Sequence, residues 1–250
     1  MYDLKTESII SKARLALLRN KTWRYLRYLH FRDTLSQIAD EIETVCVCGT
    51  GHGYAEIAVA AEFPHIDFIL TDIIDRQRNY PNYHKAMDMA WQWGVDNVQF
   101  SVWNVLKPTR RRFDLIASTE MLEHIEDDKT AALRMGEAAT KFLYCLVPFA
   151  DDESNNTPRK RKRAWEAHEH YVCGYDADKL EALFPNPVLI EGTYWETAGQ
   201  KFRSSLMGMA DSEIIAEQSK LELLAEHDLI KDVPKKLPTA LGIKILSRAA

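Results

Sequence analysis

Apolar residues recur at near-helical spacing through residues 4–41, first as Leu15, Leu17 and Leu18, then as Trp23, Leu26, Leu29, Phe31, Leu35 and Ile38. That pattern predicts two helices, with Asn20 as the break between them. From residue 44 the period changes. Short apolar runs predict strands at 44–48, 66–71, 97–102, 113–118 and 142–147, with helices between them at 54–62, 81–93 and 128–139. Such alternation implies a parallel sheet with right-handed crossovers, because parallel strands need a helix-length connection. Pro148 then opens a polar, basic stretch, Asp151 to Arg163, that reads as a loop leading to a helix. A helix near 176–183, a strand at 187–194 and a final strand Leu241-Gly-Ile-Lys-Ile-Leu246 follow. Between the last two strands lie about forty inserted residues carrying a helix around 211–228. The predicted class is α/β and doubly wound, with a helical N-terminal cap and a late insertion.

The first strand ends in the densest signal of the chain, Thr44-Val-Cys-Val-Cys-Gly-Thr-Gly-His-Gly53, and the helical run Tyr54-Ala-Glu-Ile-Ala-Val-Ala-Ala61 follows at once. Glycines there let the backbone turn and let a ligand approach without meeting a Cβ. A tight strand-to-helix turn needs glycine for packing as well. A dinucleotide fingerprint G-x-G-x-x-G starting at Gly49 and Gly51 requires glycine at position 54, which is Tyr54, so that cofactor class is disfavoured. Asp72 closes the second strand, Phe68-Ile-Leu-Thr-Asp72. A carboxylate in that position can accept hydrogen bonds from both hydroxyls of a ribose, or simply cap a turn; Asp75 is the nearby competitor.

Composition narrows the function classes. The 250 residues are 46% hydrophobic and 28% charged, enough for one domain with a large core and an insertion. A net charge of −5 argues against a general nucleic-acid or membrane-surface binder. No apolar run approaches a membrane span and the N-terminus carries no signal-peptide pattern, so a cytoplasmic location is expected. The four cysteines, Cys46, Cys48, Cys145 and Cys173, lack the paired C-x-x-C spacing of a zinc knuckle and read as reduced, mostly buried thiols.

The glycine spacing, Asp72 and the segment Phe113-Asp-Leu-Ile-Ala-Ser-Thr-Glu-Met-Leu-Glu-His-Ile-Glu-Asp-Asp128 together resemble the class I S-adenosylmethionine (SAM) methyltransferases, in particular the small-molecule type of ubiquinone and menaquinone biosynthesis. The resemblance covers roughly residues 40–150. It implies a mostly parallel, seven-stranded Rossmann-like sheet, SAM as cofactor and S-adenosylhomocysteine as product. It divides the chain into an N-terminal cap (1–42), a SAM-binding core (43–150) and an acceptor-side half (151–250) with an insertion at 198–238. The cap and the insertion would form a lid.

The same resemblance implies that Gly49, Thr50, Gly51 and Gly53 cradle the cofactor, that Asp72 and Ile73 take its ribose side, and that Ser118, Thr119, Glu120 and His124 border its methionine end. A carboxylate is usual after the third strand to take the adenine amino group. Here the segment is Trp103-Asn104-Val105, and the Asn104 amide can still serve adenine while Trp103 either stacks on the base or joins the core. An acidic residue is also usual two positions before the first motif glycine, where this chain has Val47; Glu120 or a backbone carbonyl would then take that role. Glu123 and His124 read as cofactor neighbours or as a loop-stabilising cap. The segment lacks the Asn/Asp-Pro-Pro-Tyr of enzymes that methylate nucleobase amines.

Beyond the core, Trp165-Glu-Ala-His-Glu-His-Tyr171 follows strand five, where this fold places acceptor-side residues. His168 and His170 have the pKa range of a proton acceptor, and Tyr171 could orient an acceptor oxygen, although a structural role competes. Two histidines do not make a metal site, and the sequence shows no third ligand, so no metal is expected. Tyr194, Trp195 and Phe202 are candidates for an apolar pocket or for ordinary core. The expected partner is a small methyl acceptor, aromatic or heterocyclic, and a homodimer is compatible with the chain; nucleic acid and membrane are disfavoured. A tRNA or protein acceptor using Arg110-Arg-Arg112 and Arg159–Arg163, and a SAM-binding protein without transfer, are the alternatives.

Overall fold

Computed structural coordinates describe residues 4–20, 22–73, 80–193, 209–214, 217, 229–230 and 242–249 of this chain as a computed structural model. The elements follow in the order α1 (Leu4–Asn20), α2 (Thr22–Ser36), β1 (Thr44–Cys48), α3 (Tyr54–Glu62), β2 (Asp67–Asp72), α4 (Tyr80–Trp93), β3 (Val98–Val102), β4 (Phe113–Thr119), α5 (Asp128–Ala138), β5 (Ala139–Val147), α6 (Asp152–Asn156), α7 (Pro158–His168), α8 (Ala177–Leu183), β6 (Pro187–Thr193), β7 (Leu229–Ile230) and β8 (Gly242–Arg248). The sheet order is β3-β2-β1-β4-β5-β8-β6-β7. This is the α/β, Rossmann-like arrangement expected, with one strand more than foreseen, the two-residue β7. Contacts group the chain into two units. The first takes in Met1–Val45 and Thr50–Val102; the second takes in Cys46–Gly49, Trp103–Tyr194 and Leu229–Ala250.

In the first unit, β2 runs parallel to β3 with Phe68 opposite Val98 and Asp72 opposite Val102. Helix α3 is buried on every side from Ala55 to Ala61, which its alanines permit by letting neighbours approach closely. Those neighbours are α1 and α2. Their buried stripes include Ala13, Leu17 and Leu18 on one helix and Leu26, Leu29 and Leu35 on the other. The last residue of α3, Glu62, gathers the polar groups of this contact. Arg14 donates to it at 2.7 and 3.0 Å, and the Tyr28 hydroxyl donates to the same oxygen. Burial and the Glu62 charge push the Tyr28 phenol up from its ordinary range. Asn97, just before β3, clamps the other end of the loop after α3: its amide lies within 3.0 Å of the carbonyls of Ala60, Phe63 and Ile66.

In the second unit, β4 and β5 are parallel, while β8 runs antiparallel to β5 and to β6. Strand β5 starts at Ala139, earlier than its apolar run, because Thr140 reaches back to the Phe113 carbonyl at 3.1 Å and to Asp114 at 3.0 Å. Three helices open on aspartate caps, Asp127, Asp151 and Asp176, each accepting a backbone N–H three residues on. The stretch 151–163, expected as a loop, is instead helical: Asp151 caps α6 and Pro158 occupies the first turn of α7. Proline is pre-set for that position and Lys and Arg are good helix formers, so a basic run here extends a helix rather than interrupting one. Lys244 is 2% exposed and pairs at 2.8 Å with Glu191, its register partner across β6 and β8. Of the foreseen insertion helix, residues 211–214 and 217 are helical. The rest of it, with Asp75, Tyr194, Trp195, Phe202 and Leu241, lies outside the described residues.

Replacing Asn97 by alanine should remove the amide donor that the Ala60, Phe63 and Ile66 carbonyls share and cost roughly 1–3 kcal/mol of stability. Urea unfolding followed by circular dichroism reads this directly, and an unchanged midpoint would show that the clamp contributes nothing.

Candidate functional site

The glycine turn of the first unit is built against the end of β2. Thr50 donates twice to the Thr71 carbonyl, from its backbone N–H at 3.0 Å and from its hydroxyl at 3.1 Å. Gly51 N–H donates to Asp72 Oδ2 at 2.8 Å, and Ile73 N–H donates to Asp72 Oδ1 at 2.8 Å. Asp72 is 9% exposed. Burial pushes its carboxyl up from the ordinary range, and the two backbone N–H groups pull the other way. The next side chain, Ile73, presents 47% of its surface.

All three motif glycines have positive φ, but their surroundings differ. At Gly51 an added Cβ meets nothing within 4 Å, which is the open approach a ligand requires. At Gly49, in the second unit, it would lie 2.5 Å from Met121 Cγ. Gly49 is therefore a packing glycine, and Met121, which no motif marks, is the side chain that requires it.

Met121 belongs to the tip of β4, also in the second unit. Ser118 is fully buried and Thr119 nearly so. Glu120 sits in the left-handed region at φ 51, held by its N–H donating to the Leu146 carbonyl at 2.7 Å. Leu122–His124 then form a single 3-10 turn. Val47, at the position usually acidic, is fully buried. Three further expected cofactor neighbours follow β3. Asn104 is exposed, its side-chain oxygen accepting the Leu106 N–H at 3.0 Å, and Trp103 donates to the Lys107 carbonyl at 2.9 Å without joining the core. Val105 is buried.

The expected acceptor-side residues gather around the same turn. His168 ends α7, Glu169 turns the chain in the left-handed region at φ 58, and His170 comes to rest with its ring 4.6 Å from that of His124, at 87°. The His168 ring lies 5.2 Å from His170. Tyr171 N–H donates to the Glu123 carbonyl at 2.8 Å, pinning this loop to the β4 turn, and its ring stacks edge-on with Trp165 at 4.9 Å. Glu123 is fully buried and is the residue the motif pattern underrates. The signal for it was its place beside His124 at a strand tip facing the loop after strand five. Burial, then His124 and His168, lowers the His170 imidazole to about 4. Burial, then Glu123, pushes the Cys145 thiol well up. Cys46, Cys48 and Cys145 are buried free thiols, whereas Cys173 is partly exposed.

The chain matches the family model of a methyltransferase domain over residues 21–186. No curated protein matches it. Similar solved structures include a candidate sarcosine dimethylglycine methyltransferase from Galdieria sulphuraria, at 11% identity and TM-score 0.62, covering 90% of this chain and 86% of that one. Coclaurine N-methyltransferase, bound to N-methylheliamine and S-adenosylhomocysteine, aligns at 10% identity and TM-score 0.59 over 88% of this chain and 71% of that one. A cyclase, SpnF, aligns at 14% identity and TM-score 0.54, covering 86% of this chain and 80% of that one. At such identities the likeness is one of fold, and the fold is shared by a protein described as a cyclase.

Two measurements test this geometry. Gly49→Ala should destabilise the protein more than Gly51→Ala, which carries only the left-handed cost of about 1–2 kcal/mol; equal urea midpoints would remove the Met121 argument. In chelator-containing buffer, the depressed His170 pKa means that the unfolded chain binds the extra proton first. Its stabilising contribution is then whole above pH ~6.5, the free-histidine value, and is lost as pH falls toward 4. His170→Gln should therefore unfold with a weaker pH dependence than wild type between pH 7.5 and 4.5, and identical dependences would contradict the assignment.

Proposed function

We propose that this chain, which belongs to the methyltransferase-domain family, transfers the methyl group of SAM to an O, N or C nucleophile of a small aromatic or heterocyclic metabolite, leaving S-adenosylhomocysteine. The observation that carries the reading is the Gly51–Asp72 bond: an open glycine position and a buried carboxylate at the end of β2, fixed to one another. Those residues fit the cofactor's ribose and the backbone approach it needs. In this reading Ile73 lies on the ribose side with Asp72, while Ser118 and Glu120 keep the methionine-end roles that the resemblance implies, Glu120 supplying the carboxylate that Val47 lacks.

Bound SAM supplies a methyl already activated on a sulfonium, so the residues of the chain have mainly to position the acceptor and exclude water, which can contribute several kcal/mol. A neutral His170 can accept a hydrogen bond from an acceptor group. With a pKa of about 4 it is a weak base. It suits orientation, or a nucleophile that sheds its proton easily, better than forced deprotonation of a hydroxyl. In this reading His168 and Tyr171, its neighbours along the chain, help to orient the acceptor.

Calorimetry with SAM and S-adenosylhomocysteine tests the proposal, and wild-type protein that binds neither at millimolar concentration would end it. Asp72→Ala, confirmed as folded by circular dichroism, should bind SAM more weakly by roughly 1–3 kcal/mol.

A further inference from the structure

We propose that Glu123, His124 and His170 form a binding site for one divalent transition-metal ion. Each offers one ligand atom, and the three atoms lie within 4.8 Å of one another. An ion bound at about 2.0–2.2 Å needs donors closer together than this, by an adjustment small beside the reach of a side chain. The His124 side chain is 42% exposed and has room to make it, while Glu123 is fixed in the core. The set was invisible along the chain because the second histidine of the pair His168–His170 joins partners from the β4 turn rather than its own neighbour.

The backbone holds this arrangement from both sides. The 3-10 turn carries Glu123 and His124 together, the left-handed Glu169 turns the chain after α7, and the Tyr171 N–H on the Glu123 carbonyl closes the loop. Two imidazoles and one carboxylate suit zinc, cobalt, manganese or iron(II); magnesium and calcium prefer all-oxygen shells. Three protein ligands leave coordination positions open, as in catalytic rather than structural sites. Resting on the methyl-transfer reading, the open positions would take an oxygen of the acceptor, which narrows the acceptor class to molecules with a hydroxyl or carboxylate beside the methylated atom.

The test uses tag-free, chelator-stripped full-length protein titrated with Co²⁺ alone, so that it needs neither cofactor nor acceptor and stands or falls apart from SAM binding. Wild type should take up one Co²⁺ per chain, with visible absorption bands reporting nitrogen ligation. His124→Ala and His170→Ala should each weaken uptake by more than the ~10–100-fold typical of losing an outer partner. His168→Ala should leave it unchanged. Glu123→Gln should behave like the histidine variants, and if it does not fold, those two carry the test. Absence of stoichiometric uptake by wild type, wild-type affinity in both histidine variants, or an equal loss in His168→Ala would each overturn the site.

Discussion

The glycine turn of this protein depends on one carboxylate at the end of β2. Asp72 accepts a backbone N–H from the glycine turn and another from the chain that leaves the strand, so a single side chain joins the two segments. Hydrogen bonds to a charged group are worth about 1.5–3 kcal/mol each, and burial opposes them by disfavouring the charge. The two backbone donors offset much of that cost. A glycine-rich turn left to itself would sample many conformations; bonded to Asp72 and, through Thr50, to the Thr71 carbonyl, it has one. The residue proposed to meet the ribose and the device that shapes the glycine turn are thus the same, so altering Asp72 for one role would disturb the other.

A second fixed point is the tip of β4. Holding a glutamate in the left-handed region costs of order 1–2 kcal/mol, and such strain persists only where surrounding contacts dictate it. Here the Glu120 N–H is held by Leu146, and the following Met121 fills the space that Gly49 leaves open. With Val47 buried on β1, the acidic character of this region comes from the β4 tip, and the strained turn aims it.

What the sequence made legible follows from the range over which each interaction acts. Alternation of short apolar runs with helical stretches located β1 to β6 and β8, because burial of one face or both repeats along the chain. Glycines at 49, 51 and 53 announced a turn, but not that one of them answers to Met121, a contact between residues far apart in sequence. The basic run in α7 resembled a loop because charge and helix propensity point in different directions when a helix has no buried residue. Strand β5 began earlier than its apolar run because Thr140 pairs sideways with β4. Glu123 was visible as a letter in a motif and invisible as a buried charge, since burial is set by what folds over it.

The acceptor edge escapes the sequence for a related reason. Methyl transfer from an activated sulfonium asks little chemistry of the protein beyond placement, so many side-chain sets can serve, and a family can share its cofactor half while its acceptor half diverges. In this chain the two segments proposed for that side, the turn after β4 and the loop after α7, are joined by one backbone hydrogen bond between Tyr171 and Glu123. Neither segment alone specifies a chemistry. Brought together, they set a buried carboxylate beside two imidazoles in edge contact, and burial lowers the His170 imidazole to about 4, so it is neutral at physiological pH.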